Sequence, residues 1–295
     1  MTTAAALTGR WSRELAAAGI AEAVLESELL YCELTGHRRA ERFLWSQEEP
    51  AAETIARGEA MLVRRCRREP LYYIFGHAPF RNLELEVSPA VLIPRPETEL
   101  LVDFLLRHTP EHGRILDVGT GSGAIALSAL DERPDLTGLA LDISPDALDV
   151  AGRNAERLQM TGRLTLRHSD LLSAVLPEER FDFIAANLPY VSETAYAGLE
   201  PEVRCYEPKL ALTAPEEGMA LMRRLLTEAG RYLNPGCWLL LELDGAQAAP
   251  IAAALAECGH YREIITLRDY AGIDRLVGGR TPRAGEAGKQ EKFWL

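Results

Sequence analysis

Through residues 10–70, apolar positions recur at helical spacing among Ala, Leu, Glu and Arg, as at Leu15, Ala18, Val24, Leu25 and Leu29. No strand pattern precedes Tyr72, so this stretch predicts several short helices, with breaks at Gly36 and Pro50. The pattern then changes. Residues 80–87 alternate, with Leu83, Leu85 and Val87 on one face and Glu84 and Glu86 on the other, which predicts a half-exposed strand. Ser88-Pro89 reads as a turn and residues 91–93 as a short return strand, together a β-hairpin. From Thr98 on, strand and helix patterns alternate. Helices are expected over 99–108, from the glycines near 120 to Leu130, from Pro145 to about Leu158 with Ser144 as cap, and over 219–233 and 248–258. Strands are expected over 114–118, 137–141, 164–167, 181–186, 237–243 and 262–267, with 275–277 as a last edge strand. Such alternation implies an α/β fold, a mostly parallel sheet with helices on both faces. The expected division is a helical domain over 1–78, a hairpin linker over 79–97, an α/β domain over 98–280 and a loose tail over 281–295.

Composition narrows the class. The chain has 295 residues, 47% hydrophobic and 26% charged, which suits one or two soluble globular domains. No apolar run approaches the roughly 20 residues a membrane helix needs, and the first residues lack the basic-then-apolar pattern of a secretory signal. Five scattered cysteines without Cys-x-x-Cys or a matching histidine spacing predict free thiols in a reducing cytoplasm and no metal site. Net charge is −12; the first 78 residues hold 10 basic and 11 acidic residues, so the acidic excess lies downstream. That half lacks the electrostatic footprint of tight sequence-independent nucleic-acid binding, so none is expected. The run Arg64-Arg-Cys-Arg-Arg68 reads as a solvated helix end.

Candidate chemistry begins with Asp117-Val-Gly-Thr-Gly-Ser-Gly123. A strand ends at Val118, Gly119, Gly121 and Gly123 permit a tight turn and close ligand approach, and Thr120 and Ser122 lie between them. The helix that follows offers free N–H groups. Asp142 ends the second strand, where an acid can accept both hydroxyls of a ribose. Asp170 either accepts from an adenine amino group or sits in a surface turn, and Leu171 either packs on the ring or belongs to the core. Asn187-Leu-Pro-Tyr190 follows a further strand, so in an open sheet these segments converge. The Asn187 side-chain oxygen and the Leu188 main-chain oxygen can each accept one N–H of a planar –NH2 group. That holds the nitrogen in line for transfer and stabilises its growing positive charge. Pro189 fixes the loop, and Tyr190 can pack on the planar acceptor.

Several segments carry a resemblance to a known family: Glu69-Pro-Leu-Tyr-Tyr-Ile-Phe-Gly76, Val91-Leu-Ile-Pro-Arg-Pro-Glu-Thr-Glu99, Asp117 to Leu130, Asp142-Ile-Ser-Pro-Asp-Ala-Leu148, Tyr206 to Leu212 and Asp269 to Arg275. In these the chain resembles the peptide chain release factor N5-glutamine methyltransferases. The resemblance implies a Rossmann-like class I methyltransferase domain that uses S-adenosyl-L-methionine and leaves S-adenosyl-L-homocysteine. It also implies a protein substrate, the glutamine of the Gly-Gly-Gln motif in class 1 release factors. The family's usual tetrapeptide is Asn-Pro-Pro-Tyr. Leucine at 188 keeps the carbonyl but loses the ring that restricts φ. Asn-Leu-Pro-Tyr is also similar to the motif of ribosomal RNA adenine dimethyltransferases, so an adenine-N6 methyltransferase is the first rival. A non-catalytic interaction protein on the same fold is the second.

Overall fold

The structure, a computed structural model, describes residues 2–285. Five helices come first: α1 (Ala4–Ala17), α2 (Ala23–Thr35), α3 (Arg42–Trp45), α4 (Ala52–Cys66) and α5 (Leu71–Phe75). A hairpin, β1 (His77–Phe80) and β2 (Leu83–Glu86), precedes α6 (Thr98–His108). Alternation follows with β3 (Arg114–Val118), α7 (Ala124–Glu132), β4 (Thr137–Asp142), α8 (Pro145–Arg157), β5 (Leu164–His168) and β6 (Phe181–Asn187). Two short helices, α9 (Glu193–Tyr196) and α10 (Pro201–Tyr206), lead to α11 (Ala220–Ala229), β7 (Leu233–Glu242), α12 (Ala248–Glu257), β8 (Glu263–Arg268) and β9 (Asp274–Arg280). Among the described residues no helix is long and apolar enough to cross a membrane.

The chain forms two compact units. The first is Met1–His77 with Glu200–Tyr206, the second Ala78–Leu199 with Glu207–Leu295. In the first unit, Leu7, Trp11, Leu15, Leu30, Tyr31, Trp45 and Leu62 are buried in one cluster. Arg65 is 5% exposed and pairs with Glu26 and with Glu202 of α10. Arg68 pairs with Glu202 at 2.6 Å, and the Tyr206 hydroxyl donates to Arg67 O. The basic run ends α4 and is only partly solvated: Arg64 and Arg67 are exposed, whereas Arg65 and Arg68 hold a segment that lies more than 130 residues further along the chain.

The second unit is built on a seven-stranded sheet of order β5-β4-β3-β6-β7-β9-β8. Pairing is parallel from β5 to β7; β9 runs antiparallel to both β7 and β8. Alternate residues serve the two faces, as the twofold repeat of strands requires. Ile184, Ala186, Leu239 and Leu241 pack with α11 and α12, while Phe183, Ala185, Trp238 and Leu240 pack with α6 and α7.

Four expectations from the sequence change. The hairpin turns at Arg81-Asn82, and residues 91–93 are not a strand. Arg81 takes φ 52°, and its guanidinium is held by Asp103 and Glu132. Helix α11 stops at Ala229, and β7 starts at Leu233, ahead of Asn234-Pro-Gly236 and with a register irregularity opposite Phe181. β9 is not the edge strand. It lies between β7 and β8, where Gly278 and Gly279 admit neighbours on both faces: a Cβ would meet Leu240 Cδ1 at 2.7 Å from the first and the Tyr261 ring at 2.7 Å from the second. Finally, Thr281 and Pro282 are tied to β7 rather than loose, through Thr281 Oγ1 to Asn234 O at 2.8 Å and Gly236 N to Pro282 O at 2.9 Å. Residues 286–295 of the expected tail lie outside the described residues.

Candidate functional site

Beyond the carboxyl ends of β3, β4 and β6 the second unit has a cavity of about 290 Å3, in the position where open α/β sheets place their ligands. The glycine loop forms one wall. Gly119, Gly121 and Gly123 have φ of 76°, 56° and 85°, a region costly for residues with a Cβ. Gly119 N and Thr120 N both donate to Leu141 O, at 2.8 and 2.9 Å, which stitches the loop to the end of β4. Beneath it Asp117 is fully buried. Its Oδ2 accepts from Thr120 Oγ1 at 2.6 Å and Ala126 N at 3.3 Å, while Oδ1 has no partner. Burial pushes this carboxyl up to about 6, against the pull of those two bonds.

Asp142 closes the loop from the other side. Its Oδ2 accepts from Gly121 N at 2.9 Å and its Oδ1 from Ser144 N at 2.9 Å. Burial raises its pKa and these amide bonds lower it. An ionised carboxylate has about four acceptor positions, so both oxygens keep capacity for further donors. Asn154, fully buried on α8, donates to Ser122 O and to Glu86 O, and its Oδ1 accepts from Glu86 N at 2.7 Å. One side chain thus ties the hairpin to the glycine loop, a link with no motif to announce it.

The tetrapeptide forms the opposite wall. Asn187 is the last residue of β6 and pairs in register with Glu242 of β7. Its Nδ2 donates to Thr98 Oγ1 at 3.2 Å. Leu188 is 4% exposed and lies against the glycine loop: a Cβ on Gly119 would stand 3.0 Å from Leu188 Cδ2 and 3.6 Å from Asn187 O. At the cavity mouth Asp170 Oδ2 pairs with Arg224 Nη2 at 3.0 Å, and Leu171 is buried with φ 47°.

Of the residues singled out from the sequence, Gly119 to Ser122, Asp142, Asp170, Leu171 and Asn187 to Pro189 line this cavity. Gly123 and Tyr190 do not. Gly123 caps α7, where a Cβ would strike Leu127 Cδ1 at 2.7 Å. Tyr190 packs against the β6–β7 core, and its carbonyl accepts from Gln247 Nε2 at 2.8 Å. Conversely, the motif reading passed over Arg95, Thr98, Leu210 and Arg224, which also line the cavity. Arg95 is paired with buried Glu207, whose Oε2 has no partner. The segment Pro94-Arg-Pro-Glu-Thr98 is the available signal for the first two and Tyr206 to Leu212 for Leu210; nothing local marks Arg224.

The donor set suits a nucleoside-type cofactor. Apolar walls from Ile143, Leu171 and Leu188 lie beside carboxylates with free acceptor capacity, and space opens at Gly121, where a Cβ would meet nothing within 4 Å.

Two family models match the chain, the PrmC N-terminal domain over residues 6–76 and the methyltransferase small domain over residues 96–199. The chain is similar to the release factor glutamine methyltransferase of Koribacter versatilis, 39% identical across 92% of this chain and 95% of that one. It is 38% identical to the protein of the same name from Geobacter sulfurreducens, across 92% of this chain and 94% of the other. Among solved structures, a methyltransferase from Pyrococcus furiosus superposes with a TM-score of 0.55 at 22% identity, covering 75% of this chain and 99% of that one. At that identity the likeness concerns the fold alone.

Proposed function

The chain belongs to the release factor glutamine methyltransferases, and from that premise we propose that it transfers a methyl group from S-adenosyl-L-methionine to the side-chain N5 of the Gly-Gly-Gln glutamine in class 1 release factors, modulating translation termination. The observation that carries the reading is the single cavity that joins the glycine loop and Asp142 to Asn187 and Leu188. Gly119 to Ser122 and Asp142 would hold the cofactor, with Asp170 and Leu171 at its base and Ile143 beside it. S-adenosyl-L-methionine supplies an electrophilic methyl group on a sulfonium when bound.

The protein's own contribution is to the acceptor. An amide nitrogen is a poor nucleophile because its lone pair is delocalised into the carbonyl. Asn187 Oδ1 and the Leu188 carbonyl each accept one N–H, which fixes the nitrogen and disfavours the planar delocalised form. As positive charge grows on nitrogen, two preset acceptors stabilise it without reorganising. The product nitrogen is acidic enough to lose its proton to water, so no general base is required. Leu188 and the other apolar side chains around it exclude water, which strengthens both interactions.

The test uses labelled S-adenosyl-L-methionine with a class 1 release factor and its Gly-Gly-Gln→Gly-Gly-Ala variant side by side. Label on the first and not the second is the expected result. Label on neither, or label entering added RNA, refutes the reading. Asn187→Ala should lower turnover by about 100–1000-fold, the usual loss for a preset transition-state hydrogen bond, with cofactor affinity little changed.

A further inference from the structure

Asn187 and Glu242 face each other in parallel register across β6 and β7, so both side chains leave the sheet on the side covered by α6. Thr98, 4% exposed, opens α6 beside them. Asn187 Nδ2 donates to Thr98 Oγ1 at 3.2 Å. Thr98 and Asn187 lie close enough to the Glu242 carboxyl that each pulls its pKa down. Glu242 is 1% exposed, and its Oε2 has no partner. The methyl transfer described above assigns Glu242 no role.

The hydrogen count makes this cluster directional. An ionised carboxylate only accepts, and a hydroxyl has one hydrogen to give. The Thr98 lone pair receives Asn187 Nδ2–H, which leaves the Thr98 hydrogen free to turn to the neighbouring Glu242 carboxylate. With Nδ2 engaged inside the fold, the end of the Asn187 amide left for the cavity is Oδ1. We propose that Glu242 is a positioning residue which, through Thr98, holds the Asn187 amide with its oxygen toward the acceptor nitrogen. This rests on the glutamine methyl transfer proposed above, in which Asn187 needs an acceptor, not a donor, on that side.

Protonation reverses the order. A protonated Glu242 donates to Thr98, the Thr98 hydrogen turns to Asn187 Oδ1, and Nδ2 swings toward the substrate, where it meets another N–H. Burial pushes the Glu242 carboxyl up to about 7, against the pull of Thr98, Arg275 and Asn187. The charged groups that face it are Arg275 of β9, which favours the carboxylate, and Glu97 before α6, which opposes it. Tyr190 is also near but stays neutral, since burial pushes its hydroxyl up to about 12. Turnover thus climbs as pH rises through the Glu242 pKa, with KM for the release factor little affected.

The experiment measures kcat and KM for release factor methylation from about pH 5.5 to pH 9 with the full-length enzyme, Glu242→Gln, Thr98→Val and Thr98→Ser. The wild type should show an acid limb in kcat that Glu242→Gln abolishes, because the substituted amide does not titrate. Thr98→Val should lose about 100-fold in kcat, the scale for a catalytic group misplaced by about 1 Å, and Thr98→Ser should restore it, with melting temperatures reported beside each rate. A Glu242→Gln profile superimposed on the wild type, or wild-type kcat in Thr98→Val, overturns the proposal while leaving the methyl transfer intact. A wild-type enzyme that does not methylate the release factor overturns both.

Discussion

One added methyl group at Gly119 probes the contact between the glycine loop and the tetrapeptide. Gly119 has φ 76°, and a Cβ there would stand 3.0 Å from Leu188 Cδ2. The left-handed backbone costs a residue with a Cβ about 1–2 kcal/mol. The Leu188 contact adds less, on the order of 1 kcal/mol, because the obstacle is the far end of a side chain that can yield by a few tenths of an ångström. Gly119→Ala should therefore destabilise the second unit by about 2–3 kcal/mol, which at roughly 2–4 °C per kcal/mol lowers the melting temperature by about 4–12 °C. The steric part is separable. In a double-mutant cycle with Leu188→Ala the methyl contact disappears and the backbone cost remains, so the two substitutions should couple by about 1 kcal/mol. Differential scanning calorimetry of the four proteins is the assay. A Gly119→Ala melting temperature within about 1 °C of the wild type would refute both the backbone and the packing argument; a normal shift with zero coupling would refute the packing argument alone.

Gly218→Ala should cost more than Gly119→Ala, since its Cβ would lie 1.8 Å from the Tyr190 carbonyl oxygen, a backbone atom, at φ 81°; a smaller melting shift than that of Gly119→Ala contradicts this. Arg65→Ala strips a buried cation from Glu26 and Glu202 and should destabilise the first unit by about 3–5 kcal/mol, read as an earlier calorimetric transition. For Glu242 the folded pKa of about 7 exceeds the ordinary 4.5, so the folded state holds its proton longer than the unfolded one and stability falls as pH rises through that window. Glu242→Gln should escape this loss of about 3 kcal/mol; urea unfolding at about pH 4 and pH 8 showing equal pH dependence in both proteins would refute it.

The alternation of strand and helix patterns from Thr98 on already implied a parallel sheet, and with it the convergence of Gly119, Asp142 and Asn187 at one end, because βαβ order constrains where strand ends lie. Ser144 was legible as a cap, and its side chain does accept from Ala147 N. These features depend on neighbours within a few residues or on strand order alone. What only the tertiary structure decided depends on residues far apart in sequence. β9 sits inside the sheet because Gly278 and Gly279 leave room for Leu240 and the Tyr261 ring. Arg65 turns inward because Glu202 comes to meet it. The Tyr190 carbonyl is held by Gln247, 57 residues further along the chain, and packs so closely on Gly218 that a Cβ there would lie 1.8 Å from it. Thr98 lies in a segment legible in the sequence, but its meeting with Glu242 beside Asn187, across three separate elements, is announced by no local pattern. Periodicity reports which face of an element is buried, whereas the identity of the atom on the other side of a contact is set by packing between elements.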